Sequence, residues 1–320
     1  MTRRRAFLAI GVAGAAVLLW PQLHAEYHFL RITLASHGSI ETSSFSALRF
    51  MGNGAGRRVL LRLLRYGSAD SREFAANNLA PYSGPSVVDG LERAAEQDSE
   101  ELVRIAAIES LGQIGAPGSA AFLQRMAGTS IGAVSALADM GEYAILLQIS
   151  EEHPKWQFRH VALSALCRPS PTHPPDEAVR RLIESRLDHA LEDPVWQLRA
   201  HAAECARYVF ETGDAVTRLR GLLRDPLWEV RLTAVGALGE LGDRSGYAVA
   251  AQAISARHLP MSVRVGAVFA VINAATTQEI CALLPPLESN DTPYELRDAA
   301  GNALSRRFPY GYTETCAAAK

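Results

Sequence analysis

The chain has 320 residues, 48% of them hydrophobic and 21% charged, with a formal net charge of −2. That apolar content is enough to build a large core, and the near-neutral charge gives no reason to expect nucleic acid or an anionic membrane as the main partner. The only lysines are Lys155 and Lys320, so arginine carries almost all the positive charge.

Residues 1–25 read MTRRRAFLAIGVAGAAVLLWPQLHA. A basic start, an apolar run from Ala6 to Trp20 and a polar stretch ending at Ala25 form the layout of a secretory signal. The apolar run is shorter than the roughly 20 residues needed to span a bilayer. Arg4-Arg5-Ala6-Phe7-Leu8 resembles the twin-arginine export motif, with Arg3 where Ser or Thr is usual and Ala9 where Lys is usual. The resemblance implies export of an already folded protein. An ordinary secretory signal, or an uncleaved anchor through residues 6–20, fits the same layout. The expected location is therefore exported, periplasmic or anchored at the outer face of the cytoplasmic membrane. Residues 26–54 are expected to be a linker or irregular segment: Tyr27 to Leu34 has the β-branched and aromatic character that also fits a short strand or an extension of the anchor, and a Ser/Thr/Gly-rich run from Ser36 to Ser44 reads as loop.

From residue 55 the chain repeats itself. Aligned on one position, the series is Arg72, Arg104, Ser130, Arg159, Arg199, Arg231, Arg264 and Arg297. Three residues after each lies an alanine: Ala75, Ala107, Ala133, Ala162, Ala202, Ala234, Ala267 and Ala300. Four residues further comes Leu79, Leu111, Leu137, Leu166, Ala206, Leu238, Val271 and Leu304. The spacing is that of one face of a helix, and the small residue lets two helix backbones approach closely. In Asp225–Gly242, the clearest copy, Asp225 is expected to cap the helix and Pro226 to take its first position. Gly239 and Gly242 are expected to end it with a left-handed residue.

Shorter amphipathic segments lie between these helices: Arg57–Tyr66, Ser86–Glu96, Val179–Leu191, Ala215–Leu223, Tyr247–Ala256 and Gln278–Leu287. Each unit is thus a helix pair of about 30 residues that must stack on its neighbours to bury its apolar face. The stretches DPVWQLRAHAAECA, DPLWEVRLTAVGALGELGD and SEELVRIAAIESLGQIGA resemble HEAT repeats, in the short bacterial form also seen in phycobilin-lyase-like proteins. The resemblance covers roughly residues 55–307. It implies an all-α, right-handed α-α superhelix (a HEAT/armadillo-like solenoid) of about eight helix pairs. The expected domains are residues 1–25, 26–54, a solenoid over 55–308 and a tail, loose or disordered, over 309–320. The Pro-rich stretch 168–177 lengthens one repeat and reads as a stiff loop.

Trp156, Trp196 and Trp228 lie three residues before successive anchor arginines, and Met261 and Tyr294 continue the column. Stacked rings of this kind serve either as a ladder that grips a partner or as packing over the inter-repeat seam, the latter being the commoner use. Asp98, Asp193, Asp225 and Asp291 precede their anchors by six residues. They are expected to cap helices and to form an Asp–Arg ladder with Arg199, Arg231, Arg297 and their counterparts. Cys167 and Cys205 fall within helical patterns and read as small core residues, whereas Cys281 and Cys316 can pair if the tail folds back.

No catalytic motif is present, and no metal or cofactor is expected. The iron-binding His-Glu pairs of the deoxyhypusine hydroxylases, an enzyme family with HEAT repeats, are absent; His201 and Glu204 lie three apart on one helix. Arg57, Arg58, Arg62 and Arg65 form a basic strip that nearby acids interrupt, which reads as a solvated face. The expected function is a non-enzymatic scaffold or adaptor for a protein partner in the cell envelope, or an accessory subunit held at the membrane by residues 6–20. The family resemblance alone also implies an alternative, a lyase-like or chaperone-lyase protein acting on a tetrapyrrole or other small ligand.

Overall fold

The computed structural model describes His24, Tyr27, His28 and residues 54–319. The expectations placed on residues 1–23, 25–26, 29–53 and 320 lie outside the described residues. Among these there is no strand, and the chain from residue 54 onward forms seventeen α-helices. Sixteen make eight successive pairs. The first two are α1 (Gly54–Tyr66) with α2 (Ala69–Asn78), and α3 (Pro85–Gln97) with α4 (Glu101–Ile114). Then come α5 (Ser119–Met126) with α6 (Ile131–Asp139), and α7 (Tyr143–Glu152) with α8 (Trp156–Cys167). The later pairs are α9 (Glu177–Leu191) with α10 (Trp196–Val209), and α11 (Thr212–Leu222) with α12 (Trp228–Glu240). The last are α13 (Tyr247–Ser255) with α14 (Met261–Ala274), and α15 (Thr277–Leu283) with α16 (Tyr294–Arg307). A short helix, α17 (Thr313–Ala318), follows.

Local chemistry marks several starts. Asp176 caps α9 by accepting from the Val179 N–H at 2.8 Å, and Thr276 with Glu279 forms a reciprocal capping box on α15. Pro285 and Pro286 cannot continue α15, and a single 3₁₀ turn, Pro285–Glu288, replaces its last turn.

The described residues divide into two compact units, one running to Ile145 together with Ser170–His173, the other formed by Leu146–Pro169 and the chain from Pro174. In the first unit α2 packs on α4 and α4 on α6; in the second, α8 packs on α10, α10 on α12, α12 on α14 and α14 on α16. Each chain of contacts runs through second helices, and that is where the alanine column lies. All eight alanines are 0% exposed, and the column four residues on is equally dry, from Leu79 to Leu304.

Two glycines bring backbones closer still. A Cβ on Gly112 would fall 2.8 Å from the Ala136 Cα, and one on Gly239 would fall 2.5 Å from the Asn273 carbonyl carbon. Gly239 therefore lies inside α12 as a contact point for α14, and does not end the helix as expected from sequence. The left-handed residue is Gly242, at φ +78°. Asp225 departs from expectation too. The N-cap of α12 is Leu227, without a side-chain cap, and the helix starts at Trp228.

The cysteines correct a further expectation. Cys167 and Cys205 are not isolated core residues: they are bonded to each other, joining α8 to α10 with Cα atoms 5.6 Å apart. Cys281 and Cys316 join α15 to α17 at 5.2 Å, so the tail is tied back as a helix. Two thiols one helix apart look like core residues from sequence because their meeting depends on repeat register.

Candidate binding groove

The turns between helices are built from aspartate and arginine. The anchor arginine donates to the carbonyl six residues before it: Arg104 to Asp98 at 2.7 Å, Arg159 to His153 at 3.0 Å, Arg199 to Asp193 at 2.8 Å, and Arg231 to Asp225. This ties these four second helices to their own entry turns. The carboxylate then ties the turn to the preceding unit. Arg72 donates from Nε and Nη2 to the two Asp98 oxygens, both at 2.8 Å, and Arg199 to Asp225 at 2.8 and 3.1 Å. Arg159 reaches Asp193 at 3.5 Å. The same aspartates accept the backbone N–H two residues on, at Glu100, Val195 and Leu227.

The Asp98 carboxyl is held below its ordinary range, chiefly by the Arg72 hydrogen bond. For Asp225 burial acts in the opposite sense, and the donors Arg199 and Leu227 N–H, with the charges of Arg199 and Arg231, outweigh it.

The ladder stops short of the last units. Arg231 has no aspartate in the next turn, where His258 stands, and its guanidinium lies over the Trp228 ring at 4.4 Å. Arg297 reaches Asn290 at 3.3 Å, and Asp291 is exposed and makes no ion pair among the described residues.

The aromatic column lies where the spacing puts it, since Trp156, Trp196, Trp228, Met261 and Tyr294 are each the first residue of a second helix. Their environments differ. Trp228 and Met261 are partly buried against the core that holds Val235 and Val268. Trp156 meets His160 edge-on at 6.2 Å. Trp196 is 36% exposed and Tyr294 is 68% exposed. The rings therefore do not form one uniform exposed surface.

A concavity lies elsewhere, on the faces of α10, α12 and α14 within the second unit. This groove is about 480 Å³. Its lining includes the small residues Thr233, Gly236, Gly266 and Ala270, the apolar Leu232 and Val263, and the charged Arg168, Arg207, Glu229 and Glu240. A Cβ on Gly236 would meet nothing within 4 Å, so this glycine leaves open space rather than close contact.

Two of the lining guanidiniums, Arg168 at 4.7 Å and Arg207 at 4.5 Å, contact the Tyr208 ring, whose hydroxyl accepts from both. Arg207 also pairs with Glu240, yet its Nε is buried with no hydrogen-bond partner. Glu204 is held below the ordinary carboxylate range, first by its hydrogen bond with His201, 3.5 Å away. The His160 and His201 rings lie 4.1 Å apart, tilted by 38°, and burial followed by the neighbouring His201 charge pushes His160 below its ordinary value. Among the described residues no three His, Cys, Asp or Glu side chains meet as a metal site.

From sequence, Asp193, Asp225 and Arg199 fall in the ladder and the aromatic column at the helix starts, whereas Arg231, Arg297 and Asp291 form no such pair among the described residues, and the groove is not visible. Gly236 and Gly266 sit five and two residues after their anchors, and inside one helix such a glycine reads only as lost helix propensity. The open space appears when neighbouring second helices stand side by side.

The model for HEAT repeats matches residues 57–138 and 183–259. No curated protein matches the chain. Among solved structures, human deoxyhypusine hydroxylase in complex with glycerol is 18% identical, covers 92% of this chain and 99% of its own, and has a TM-score of 0.36. YIBA_ECOLI is 18% identical over 85% of this chain and 99% of its own, with a TM-score of 0.46. The CpcE–CpcF complex of phycocyanin lyase from Nostoc sp. PCC7120 is 16% identical over 78% and 94%, with a TM-score of 0.37. At these identities and scores the likenesses carry no argument about activity. The matched stretches, the eight helix pairs and the buried alanine column together show an all-α repeat fold that carries HEAT repeats over residues 57–138 and 183–259.

Proposed function

We propose that this protein is a non-enzymatic scaffold of the bacterial cell envelope that holds a protein partner against the α10–α12–α14 groove. The observation that carries this reading is the groove itself. Thr233, Gly236, Gly266 and Ala270 are small lining residues, and the absence of a side chain at Gly236 and Gly266 leaves room for a bound segment. The pairing of all four cysteines supports an oxidising compartment, as does the layout of residues 1–25.

Two measurements test the reading. A photo-crosslinker placed at Thr233 of the exported chain should join a partner protein, while one at Leu182, exposed on α9, should not. Gly236→Phe, which fills the groove, should abolish that adduct. A pigment or other small molecule in the groove, or adducts of equal yield from both positions, would overturn the scaffold. A fusion of residues 1–25 to an export reporter should leave the cytoplasm; a fusion that stays inside refutes the envelope setting.

A further inference from the structure

The first unit has a concavity of its own, between α1 and α3, of about 680 Å³. Helix α1 reads GAGRRVLLRLLRY and contains no acidic residue. It buries Val59, Leu60, Leu63 and Leu64, so the helical period turns Arg58, Arg62 and Arg65 outward. Arg62 and Arg65 line the cleft, and α3 contributes Arg93. The one carboxylate lining it is Asp98, both of whose oxygens are taken by Arg72. Arg65 contacts the Tyr66 ring at 5.2 Å, and neither Arg65 nor Arg93 has a carboxylate partner among the described residues. Leu61 supplies an apolar wall beside them.

The geometry points to an anion site, in which the α1–α3 cleft takes a phosphate-bearing group on Arg65 and Arg93, with Leu61 and Tyr66 against the carbon body that carries it. Guanidinium forks match the paired oxygens of phosphate, and the one carboxylate of the cleft is engaged by Arg72 and not by Arg65 or Arg93. The phosphate comes either from an anionic lipid headgroup or from a soluble phosphate compound; both present the same oxygens. The site lies in the first unit and does not depend on the scaffold reading of the α10–α12–α14 groove.

The test uses the full chain in two arms. In the first, the melting midpoint is compared in inorganic phosphate and in sodium chloride of equal ionic strength. In the second, co-sedimentation is compared on vesicles of phosphatidylcholine with and without phosphatidylglycerol. A response is expected in at least one arm, and Arg65→Gln/Arg93→Gln should weaken it about fivefold per guanidinium. Arg180→Gln/Arg181→Gln on α9, where both side chains face Glu177, should respond as wild type. A midpoint shift without lipid preference assigns a soluble phosphate compound, lipid preference without a shift assigns the headgroup, and both responses together assign a site open to either. Silence in both arms, a response that survives the Arg65/Arg93 change, or one equally weakened by the α9 change overturns the site. Both targeted side chains are exposed, and unchanged circular dichroism confirms that the variant folds.

Discussion

At the scale of single residues, glycine has opposite uses three positions apart on α12. Gly239 meets the α14 backbone, whereas Gly236 faces open groove. Gly239→Ala should therefore cost about 1–3 kcal/mol through overpacking, whereas Gly236→Ala should be neutral or stabilise by up to about 1 kcal/mol through helix propensity. Urea melts of the two variants check the contrast, and equal effects would refute the close approach. Arg199 shows what the ladder contributes. It holds the buried Asp225 carboxylate with two hydrogen bonds and its own entry turn with a third. Arg199→Ala should cost about 2–4 kcal/mol because it strands a buried charge, and Arg199→Lys should recover only part, lacking the fork. Denaturant midpoints of the two variants read this directly.

At the scale of elements, the unit is a helix pair whose second helix carries the stacking face. The alanine column sets how near adjacent second helices lie, and at Asp98, Asp193 and Asp225 the Asp–Arg pairs set how the entry turn meets the unit before it. The Cys167–Cys205 bond joins two such helices covalently across 38 positions of sequence. Cys205→Ser should lower stability by about 2–4 kcal/mol in oxidised protein, and the difference should vanish once wild type is reduced. Calorimetry with and without reductant measures it. Mass analysis of unreduced digests should recover Cys167 with Cys205 and Cys281 with Cys316. Neither bond follows from the pattern of one helix, since a cysteine on a buried face resembles any small apolar residue there.

At the scale of the whole molecule, the aspartates that tie the turns set its response to acid. Asp98 and Asp225 have folded values below the ordinary 3.8, so their contribution is present in full above that value. It should be lost as the pH falls below 3.8 and through the folded values, because the unfolded chain then binds more protons. The melting midpoint should drop over that window in wild type and drop less in Asp98→Asn/Asp225→Asn; parallel curves would remove these carboxylates from the account.

The periodicity of the sequence by itself determined the helix pairs, their number near eight, the buried alanine column and the aromatic residues at helix starts. Those features are local or repeat at fixed spacing, and the hydrophobic period records them. Only the tertiary structure decided which cysteines bond, that Asp225 ties a turn to Arg199 instead of capping α12, and that Gly239 is a contact. It also decided that three second helices leave a groove over Gly236. Each of these depends on the register between helices far apart in the chain, and a pattern read along one helix does not carry that register.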